Sequence, residues 1–415
     1  MLETLRDALK TQEMRKKILF TLMMFLVFRI GSHIPVPGID KAQIEALIEQ
    51  VKILGFFDTI SGSAFRNVSI FAMSITPYIN ATLIIQLMTV ISPRLEALAK
   101  DDRKKIVEYT RYLTVVLAAI QAVGMSFGLR SALTDSSAMS VVIITLSLTA
   151  GTACLMWIGE LITEKGVGNG ISLIIFAGIV SRIPSGSAYL WQFAQEGTMN
   201  ILIILLFLIV ALLAIVAVVM VNQGERRIPV QYAKRVVGRK MYGGQSTHLP
   251  IKVNSAGVIP VIFAMSLMFF PGTISGFFPN SAAAVWISQH FTYTDFGYNI
   301  LYGILIIFFT YFYSSITFNP IDVADNIRRN GGFIPGIRPG RPTSEYISKV
   351  MGRITFFGGL FLALIAILPA LLMVTSELNI HFGGTSLLIV VGVALDTMKQ
   401  IESGMLMRNY EGFMK

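Results

Sequence analysis

Two short stretches, Gly170-Ile171-Ser172-Leu173-Ile174-Ile175 and Gly384-Thr385-Ser386-Leu387-Leu388-Ile389, open two hydrophobic segments that lie far apart in the chain. A second pair of stretches also matches, since each has isoleucine two residues and alanine four residues after a proline: Pro77-Tyr78-Ile79-Asn80-Ala81 and Pro260-Val261-Ile262-Phe263-Ala264. If these segments cross a membrane, the two halves of the chain repeat each other. Membrane proteins built from two related halves place their pathway at the interface of the halves. The matched pairs therefore predict a pathway on the axis that relates the halves.

The composition is typical of helical membrane proteins. Of the 415 residues, 54% are hydrophobic and 14% are charged, and the mean hydropathy is +0.67, which is far above that of a soluble domain. One crossing of the bilayer core takes about 20 apolar helical residues. We therefore predict an all-α polytopic membrane protein with ten transmembrane helices, at 18–34, 72–92, 106–128, 138–159, 171–184, 199–221, 254–272, 299–319, 352–373 and 383–400.

Positive charge predicts the orientation of these spans. Most of the 34 Lys and Arg residues lie at the N-terminus, in the loops after the even-numbered spans and in the tail at 401–415. The positive-inside rule makes this side cytoplasmic, with both termini inside. Residues 1–17 contain an amphipathic helix that we expect on the membrane surface. Arg29, near the outer end of the first span, is expected to reach toward the interface.

Two cytoplasmic loops, 222–253 and 320–351, are long and basic. They could serve only to orient the chain, which needs a modest excess of Lys and Arg. They could also form a docking surface for an anionic partner such as ribosomal RNA, whose phosphates would bind them in a salt-dependent way. Both interpretations are open on charge alone.

The sequence lacks the patterns of several enzyme classes. It contains no phosphate-binding G-x-x-x-x-G-K-[ST] stretch, and its four histidines form no H-E-x-x-H pair. The spans hold few carboxylates near their middle, whereas ion-coupled transporters commonly need them there. We therefore expect no catalytic residues, no metal and no cofactor, and we expect energy to come from a partner.

The second predicted span is unusually polar, with Ser74, Thr76, Asn80 and Gln86. The stretch that precedes it, 55–65, is too short to cross a membrane, so a re-entrant segment inside a protein-lined cavity is indicated. The seventh span also carries polar residues and a proline. Ordinary hydrogen bonding between helices is the alternative explanation.

Isoleucines hold corresponding places in the matched motifs. Ile75 and Ile79 stack on one helix face because they are four residues apart. Ile79 and Ile262 each follow a proline by two, and Ile175 and Ile389 each follow a glycine by five. A ring of apolar side chains at the waist of a cavity would gate it by dewetting. Isoleucine is also the default filler of membrane spans, and short apolar matches arise by chance.

At these residues the chain resembles the SecY family of bacterial protein-translocation channels. The resemblance runs from about residue 12 to the tail in several ordered blocks. The blocks are Arg29-Ile30-Gly31-Ser32 with Ile34-Pro35-Val36-Pro37-Gly38, Pro77-Tyr78-Ile79 through Gln86-Leu87, 166–175, Gln245-Ser246-Thr247-His248-Leu249-Pro250 through Pro260, Pro335-Gly336-Ile337-Arg338-Pro339-Gly340, and 383–396.

The resemblance implies two pseudo-symmetric, inverted five-helix halves, 18–184 and 199–400, with a central hourglass pore between them. Residues 185–198 would connect the halves outside the membrane. The same resemblance implies a pore ring, a plug at 55–70 that seals the closed pore, and a lateral gate that admits signal sequences between the second and seventh spans. The implied ring residues are Ile75, Ile79, Ile175, Ile262 and Ile389; the plug residues are Phe57, Ile60, Ser61, Gly62, Ser63 and Phe65; the gate residues are Asn80, Gln86, Asn254 and Pro260.

The resemblance also implies partners and a location. The basic loops would dock the ribosome and the SecA motor ATPase, through Arg226, Arg227, Arg235, Arg239, Lys240 and Arg338. The other implied partners are the small membrane subunits SecE and SecG, signal sequences, nascent or unfolded preproteins, and anionic lipids. The implied location is the bacterial cytoplasmic membrane. Two stretches depart from the family pattern: the loop at 100–105 reads Lys-Asp-Asp-Arg-Lys-Lys, and the plug has the single Gly62 where relatives often carry two glycines.

The sequence thus predicts a passive protein-conducting channel that also releases membrane segments laterally, and not an enzyme. A small-solute secondary transporter is the main alternative, because such transporters also use inverted repeats. A scaffold without a pore is a third possibility, which the polar spans disfavour.

Overall fold

The computed structural model describes residues 2–41, 43–44, 58, 61–129, 133, 137–195, 201–232, 235–237, 240–242, 246–277, 281–282, 285–287, 291, 295–376 and 384–413. Helices dominate it, as the apolar composition predicts. Helices before residue 196 are α1 Leu2–Lys10, α2 Gln12–Gly31, α3 Thr76–Ile91, α4 Pro93–Asp101, α5 Arg103–Gly128, α6 Ala138–Lys165, α7 Gly170–Val180 and α8 Ile183–Gln195.

The later part of the chain combines helices with short strands. Its helices are α9 Ile201–Gln223, α10 Ile259–Phe277, α11 Phe296–Thr317, α12 Pro320–Arg329, α13 Arg341–Ser376 and α14 Gly384–Phe413. Its strands are β1 Glu225–Tyr232, β2 Arg235–Val237, β3 Lys240–Tyr242, β4 Ser246–Lys252 and β5 Gly332–Phe333.

Several helices are long and apolar enough to cross a bilayer. Within the described residues five meet this test alone, and a sixth does if α3 and α4, which meet at a bend of 110°, count as one span. Two shorter apolar helices lie at Leu208–Gln223 and Ile259–Gly272. The chain is thus a membrane protein with several spanning helices, and the count of ten stays a prediction. The five are Arg103–Gly128, Ala138–Lys165, Gly170–Ala188, Phe296–Arg329 and Arg341–Leu368.

The second predicted span begins later than expected. Helix α3 starts at Thr76 rather than at residue 72, and residues 61–75 form a series of turns. Ser63, Val68 and Ser74 have positive φ angles, which a helix cannot contain. Pro77 then sits in the first turn of α3, where its missing N–H costs nothing. Apolar composition alone did not reveal this boundary, because the turn residues are as hydrophobic as the helix.

The first basic loop corrects the all-α prediction. Strand β1 pairs antiparallel with β4, from Glu225 opposite Lys252 to Gln231 opposite Ser246. Strand β5, from the second basic loop, pairs with the other edge of β1, so the two loops share one three-stranded sheet. Buried Ile228 and Val230 alternate with exposed neighbours along β1, as the period of two of a strand requires. A buried cluster of Ile228, Val230, Ile251, Ile327, Ile334 and Ile347 supports the sheet.

The helices pack as two groups around one large core. We call α2, α3, α5, α6 and α7 the N-terminal group, and α9, α10, α11, α13 and α14 the C-terminal group. Within each group neighbouring helices pack closely, most extensively α5 on α6 and α11 on α13. Between the groups, α10 contacts α3 and α5, and α7 contacts α14. The largest buried cluster draws on both groups and lies at this interface.

The N-terminal helix α1 packs on the end of the chain. Its Ala8 is fully buried in a small apolar cluster with Met14, Val167 and Ile401. Met14 belongs to α2 and Ile401 to α14, so this cluster joins the two groups at the side that carries the termini.

Candidate functional site

The five isoleucines singled out by the sequence are all buried. Ile75, Ile79, Ile175, Ile262 and Ile389 are each 4% exposed or less, and all belong to the large cluster between the two groups. Three of them lie on the N-terminal group and two on the C-terminal group. Such a patch offers an ion no replacement for its hydration shell, so it can act as an apolar barrier.

The matched glycine motifs each begin a helix, α7 at Gly170 and α14 at Gly384. The Asn169 side chain caps α7 by accepting hydrogen bonds from the backbone N–H groups of Ile171 and Ser172, at 3.1 and 3.2 Å. A Cβ at Gly170 would lie 1.9 Å from the carbonyl oxygen of Gly159, so only glycine lets α7 approach α6 this closely. This close approach places Ile175, five residues later, in the cluster.

The turns before α3 are buried and rich in polar contacts. The side chain of Asp58 is 1% exposed, and its Oδ1 accepts a hydrogen bond from the backbone N–H of Arg66 at 2.8 Å. Asp58 Oδ2 lies 3.2 Å from Nη1 of Arg182 and 3.7 Å from Nε of Arg66. These are ion pairs at contact distance, and no hydrogen bond of good geometry reaches Oδ2 within the described residues.

Arg29 differs from the sequence expectation. Instead of reaching toward the interface, it lies half-buried and donates hydrogen bonds from Nη1 to the carbonyl oxygen of Gly62 at 3.0 Å and to Oγ of Ser181 at 3.3 Å. Gly62 has φ +66°, and a Cβ there would lie 2.7 Å from Cα of Gly178 in α7. Both observations require glycine at position 62.

The other predicted plug residues are placed in part. Ser61 and Phe65 are buried, and Ser63 is half-buried. Ser61 Oγ donates to the carbonyl oxygen of Asp58 and accepts from the backbone N–H of Phe65. Phe57 and Ile60 lie outside the described residues.

A polar contact joins the two groups where α3 meets α10. Ser266 Oγ donates a hydrogen bond to Oδ1 of Asn80, and both side chains are buried. Sequence analysis singled out Asn80 but missed Ser266. The available signal was one hydroxyl in the apolar stretch Ile259–Gly272.

The remaining predicted gate residues do not meet one another in a single contact. Asn254 donates from Nδ2 to Oδ1 of Asn222 at 2.7 Å and to the carbonyl oxygen of Gly257 at 3.0 Å, so it belongs to the connection between β4 and α10. Pro260 is buried in the first turn of α10. Gln86 is half-buried on α3, and its Oε1 has no hydrogen-bond partner within the described residues.

The predicted docking residues lie on or near the three-stranded sheet and in the β2–β3 hairpin. Arg226 and Arg227 are exposed on β1, and Arg338 is exposed after β5. Arg227 Nε lies 2.7 Å from Oε1 of Glu225. Arg235 and Lys240 lie opposite Tyr242 and Val237 in the β2–β3 hairpin. Arg239 lies outside the described residues.

Metal chemistry finds no support in the described part of the chain, where no three His, Cys, Asp or Glu residues gather at ligand distances. The arrangement consists of an apolar patch between two helical groups, a buried turn segment beside it and a basic sheet apart from it.

Comparison with known proteins identifies this arrangement. A model of the SecY family matches residues 69–398. The chain belongs to the SecY family. Relatives named protein translocase subunit SecY include those of Halalkalibacterium halodurans, 49% identical with 100% of both chains covered, and of Thermotoga maritima, 44% identical with 100% of this chain and 98% of the relative covered. The protein is thus a membrane-embedded member of a family of protein-translocation channel subunits, a family not known for enzymes.

Two solved structures share its fold. A structure described as that of a protein conducting channel matches with a TM-score of 0.68 and 20% identity, over 94% of this chain and 92% of that chain. Sec61 in the canine ribosome-channel complex from the endoplasmic reticulum matches with a TM-score of 0.64 and 18% identity, over 94% of this chain and 92% of that chain.

Proposed function

We propose that this SecY-family chain is a passive channel that conducts secretory polypeptides across the bacterial cytoplasmic membrane and releases membrane-protein segments sideways into lipid. The observation that carries the proposal is the meeting of five isoleucines from both helical groups in one buried cluster. These side chains form the pore ring between two five-helix halves. An apolar ring lets varied side chains pass because it makes no specific hydrogen bonds, and it excludes ions when closed.

We assign residues 55–70 to the plug, of which Asp58 and residues 61–70 are described. This part contributes Ala64 to the cluster that holds the isoleucines, and residues 71–75 connect it to α3. In the closed state the plug seals the pore on the outer side. Its described residues include Ser61, Gly62, Ser63 and Phe65.

The seam between α3 and α10 is the lateral gate. Its position supports this assignment, since α3 and α10 belong to different groups and their contact includes the side-chain hydrogen bond between Asn80 and Ser266. Helices that separate here would open a path from the isoleucine cluster to lipid. Of the other gate residues, Gln86 lies on α3, Pro260 in the first turn of α10, and Asn254 in the connection that precedes α10.

The basic sheet is the cytoplasmic docking surface. Its exposed Arg226, Arg227 and Arg338 suit the phosphates of ribosomal RNA or an acidic face of the SecA motor. We place both termini on this side, and we assign SecE and SecG as companion subunits by family membership. Anionic lipids would bind the same basic side where it meets the membrane.

Site-specific photocrosslinking tests the channel. A photoreactive amino acid at Ile79 or Ile262 should crosslink to a secretory chain stalled during export, in membranes that hold the complete translocase. Ile91, which is 73% exposed on the same helix as Ile79, is the matched control position and should give little product. If only the 222–253 and 320–351 loops gave crosslinks, the chain would be a docking protein and the pore assignment would be wrong. No observation favours a solute transporter over the channel.

A further inference from the structure

The function proposed above counts Asp58 in the plug but assigns no role to its carboxylate, although this side chain is 1% exposed. Its Oδ1 accepts a hydrogen bond from the backbone N–H of Arg66 at 2.8 Å. Its Oδ2 faces Arg182, which follows the end of α7, at 3.2 Å. A buried charge is costly unless an opposite charge compensates it, so the Arg182 guanidinium keeps Asp58 in place.

A second polar contact, made by Arg29, joins the neighbouring Gly62 to the same helices. Arg29 of α2 donates to the carbonyl oxygen of Gly62 and to Ser181, the neighbour of Arg182. Gly62 itself packs against Gly178 of α7. Thus two guanidinium groups, that of Arg29 in α2 and that of Arg182 just after α7, hold Asp58 and Gly62.

All of these partners belong to the N-terminal group. The backbone continues the pattern, since Val36 N–H donates to the carbonyl oxygen of Val68 at 2.7 Å and Ile70 N–H donates to that of Ile34 at 3.0 Å. Residues 61–75 also contribute Ala64, Phe71 and Ile75 to the apolar cluster that contains residues of both groups. Apolar contacts of this kind have no directional bond to break when two surfaces separate.

We propose that Asp58, Arg182 and Arg29 form a polar latch that fastens the plug segment to the N-terminal group, so that parting the two groups does not by itself release the segment. The inference rests on the proposed channel function. Gate opening and plug release are then two separate steps. The first breaks apolar contacts and the Asn80–Ser266 bond, and the second breaks the ion pair of Asp58 and the Arg29 bonds.

The test uses the chain in its complete membrane complex, with Cys154→Ser and Ser63→Cys as a background. Labelling of the new cysteine by a membrane-impermeant maleimide from the outer side reports exposure of the segment, and ion conductance in planar bilayers reports the seal. Asp58→Asn and Arg182→Gln should each speed labelling at rest on the order of tenfold, because each removes the ion pair between these two side chains. Both should raise resting conductance.

A double-mutant cycle and two controls make the result decisive. Asp58→Asn with Arg182→Gln should label no faster than the more affected single variant, since the two changes remove one interaction. Glu96→Gln is the matched control, because Glu96 also faces a cation at 2.7 Å but both side chains are exposed. Asn80→Leu loosens the gate, yet should leave labelling at the rate of the unaltered complex.

The outcomes separate the latch from the channel. Labelling unchanged in both single variants, additive effects in the double variant, or fast labelling in Asn80→Leu would each overturn the latch. If labelling behaves as expected but no signal peptide ever makes the complex conduct, the latch stands as a structural device and the channel function falls.

Discussion

Ser266 Oγ donates a hydrogen bond to Oδ1 of Asn80, 186 positions away in the sequence. The bond joins α10 to α3 and so links the two helical groups at the seam where we place the lateral gate. Both residues are buried in otherwise apolar surroundings. Within the membrane such bonds between helices typically contribute about 0.6 kcal/mol and at most about 1.7 kcal/mol. A bond of this size can bias a gate toward the closed state without preventing it from opening.

We expect Asn80→Ala and Ser266→Ala each to shift the gate toward the open state. In each variant the remaining partner is buried without its hydrogen bond, which destabilises the closed packing by about 1 kcal/mol. The measurement is export of a precursor whose signal sequence is weakened, which should improve in both variants. The double variant should improve no more than either single one. A purely additive double variant would mean that the two side chains act independently.

Polar substitution in the isoleucine cluster should loosen the seal. Asn at Ile79 or Ile262 brings an amide into an apolar ring, which hydrates it and lowers the barrier to ions. Single-channel recordings should show a raised ion leak at rest. Ile91→Asn, at the exposed end of the helix that carries Ile79, should leave the leak unchanged. Equal leaks in the Ile79 and Ile91 variants would count against the ring.

Substitutions in the docking sheet should distinguish residues that stabilise the sheet from residues that contact the ribosome. Ile347 is fully buried beneath the sheet, so Ile347→Ala should weaken ribosome binding by loosening the whole surface. Arg226→Gln should weaken it by removing one exposed charge, and should also reduce the slope of log affinity against log salt by about one. Co-sedimentation with ribosomes over a salt series measures both quantities. Identical slopes for Arg226→Gln and the unaltered chain would remove Arg226 from the contact.

Two glycines on α13 provide a matched pair for packing. A Cβ at Gly358 would lie 2.5 Å from the carbonyl oxygen of Val253, in the connection between β4 and α10, whereas a Cβ at Gly352 meets nothing within 4 Å. Gly358→Ala should therefore destabilise the fold by about 1–3 kcal/mol. Gly352→Ala should be neutral or stabilising by up to about 1 kcal/mol, from helix propensity. Thermal unfolding of the purified complex distinguishes them, and equal melting temperatures would contradict the close approach.

Some of the architecture was readable from local pattern. The apolar runs predicted a helical membrane protein, and helices occur in the described parts of all ten predicted spans. The glycine motifs predicted equivalent positions for Ile175 and Ile389, and both residues lie in the shared cluster. The helical prediction was confirmed because hydropathy depends on residues close together in the chain. The equivalence of Ile175 and Ile389 stays a prediction. The count of ten spans and the roles of the site residues stay predictions.

Other features depended on residues far apart. The all-α prediction was wrong for the basic loops, because β1 and β5 pair only after α10, α11 and α12 bring the second loop beside the first. The start of α3 was misplaced, since the turns before it are as apolar as the helix. Arg29 was expected at the interface and instead binds Gly62, a partner that no local pattern names.

The sequence by itself determined the membrane class, the basic side and the family, because composition, charge and ordered motifs are properties of the chain that survive without its three-dimensional form. Only the tertiary structure decided which side chains meet. Asn80 accepts a hydrogen bond from Ser266, and Asp58 pairs with Arg182, because helix packing brings together side chains more than a hundred residues apart. A buried polar group must be satisfied by whichever neighbour the fold supplies, and that neighbour is set by packing rather than by sequence distance.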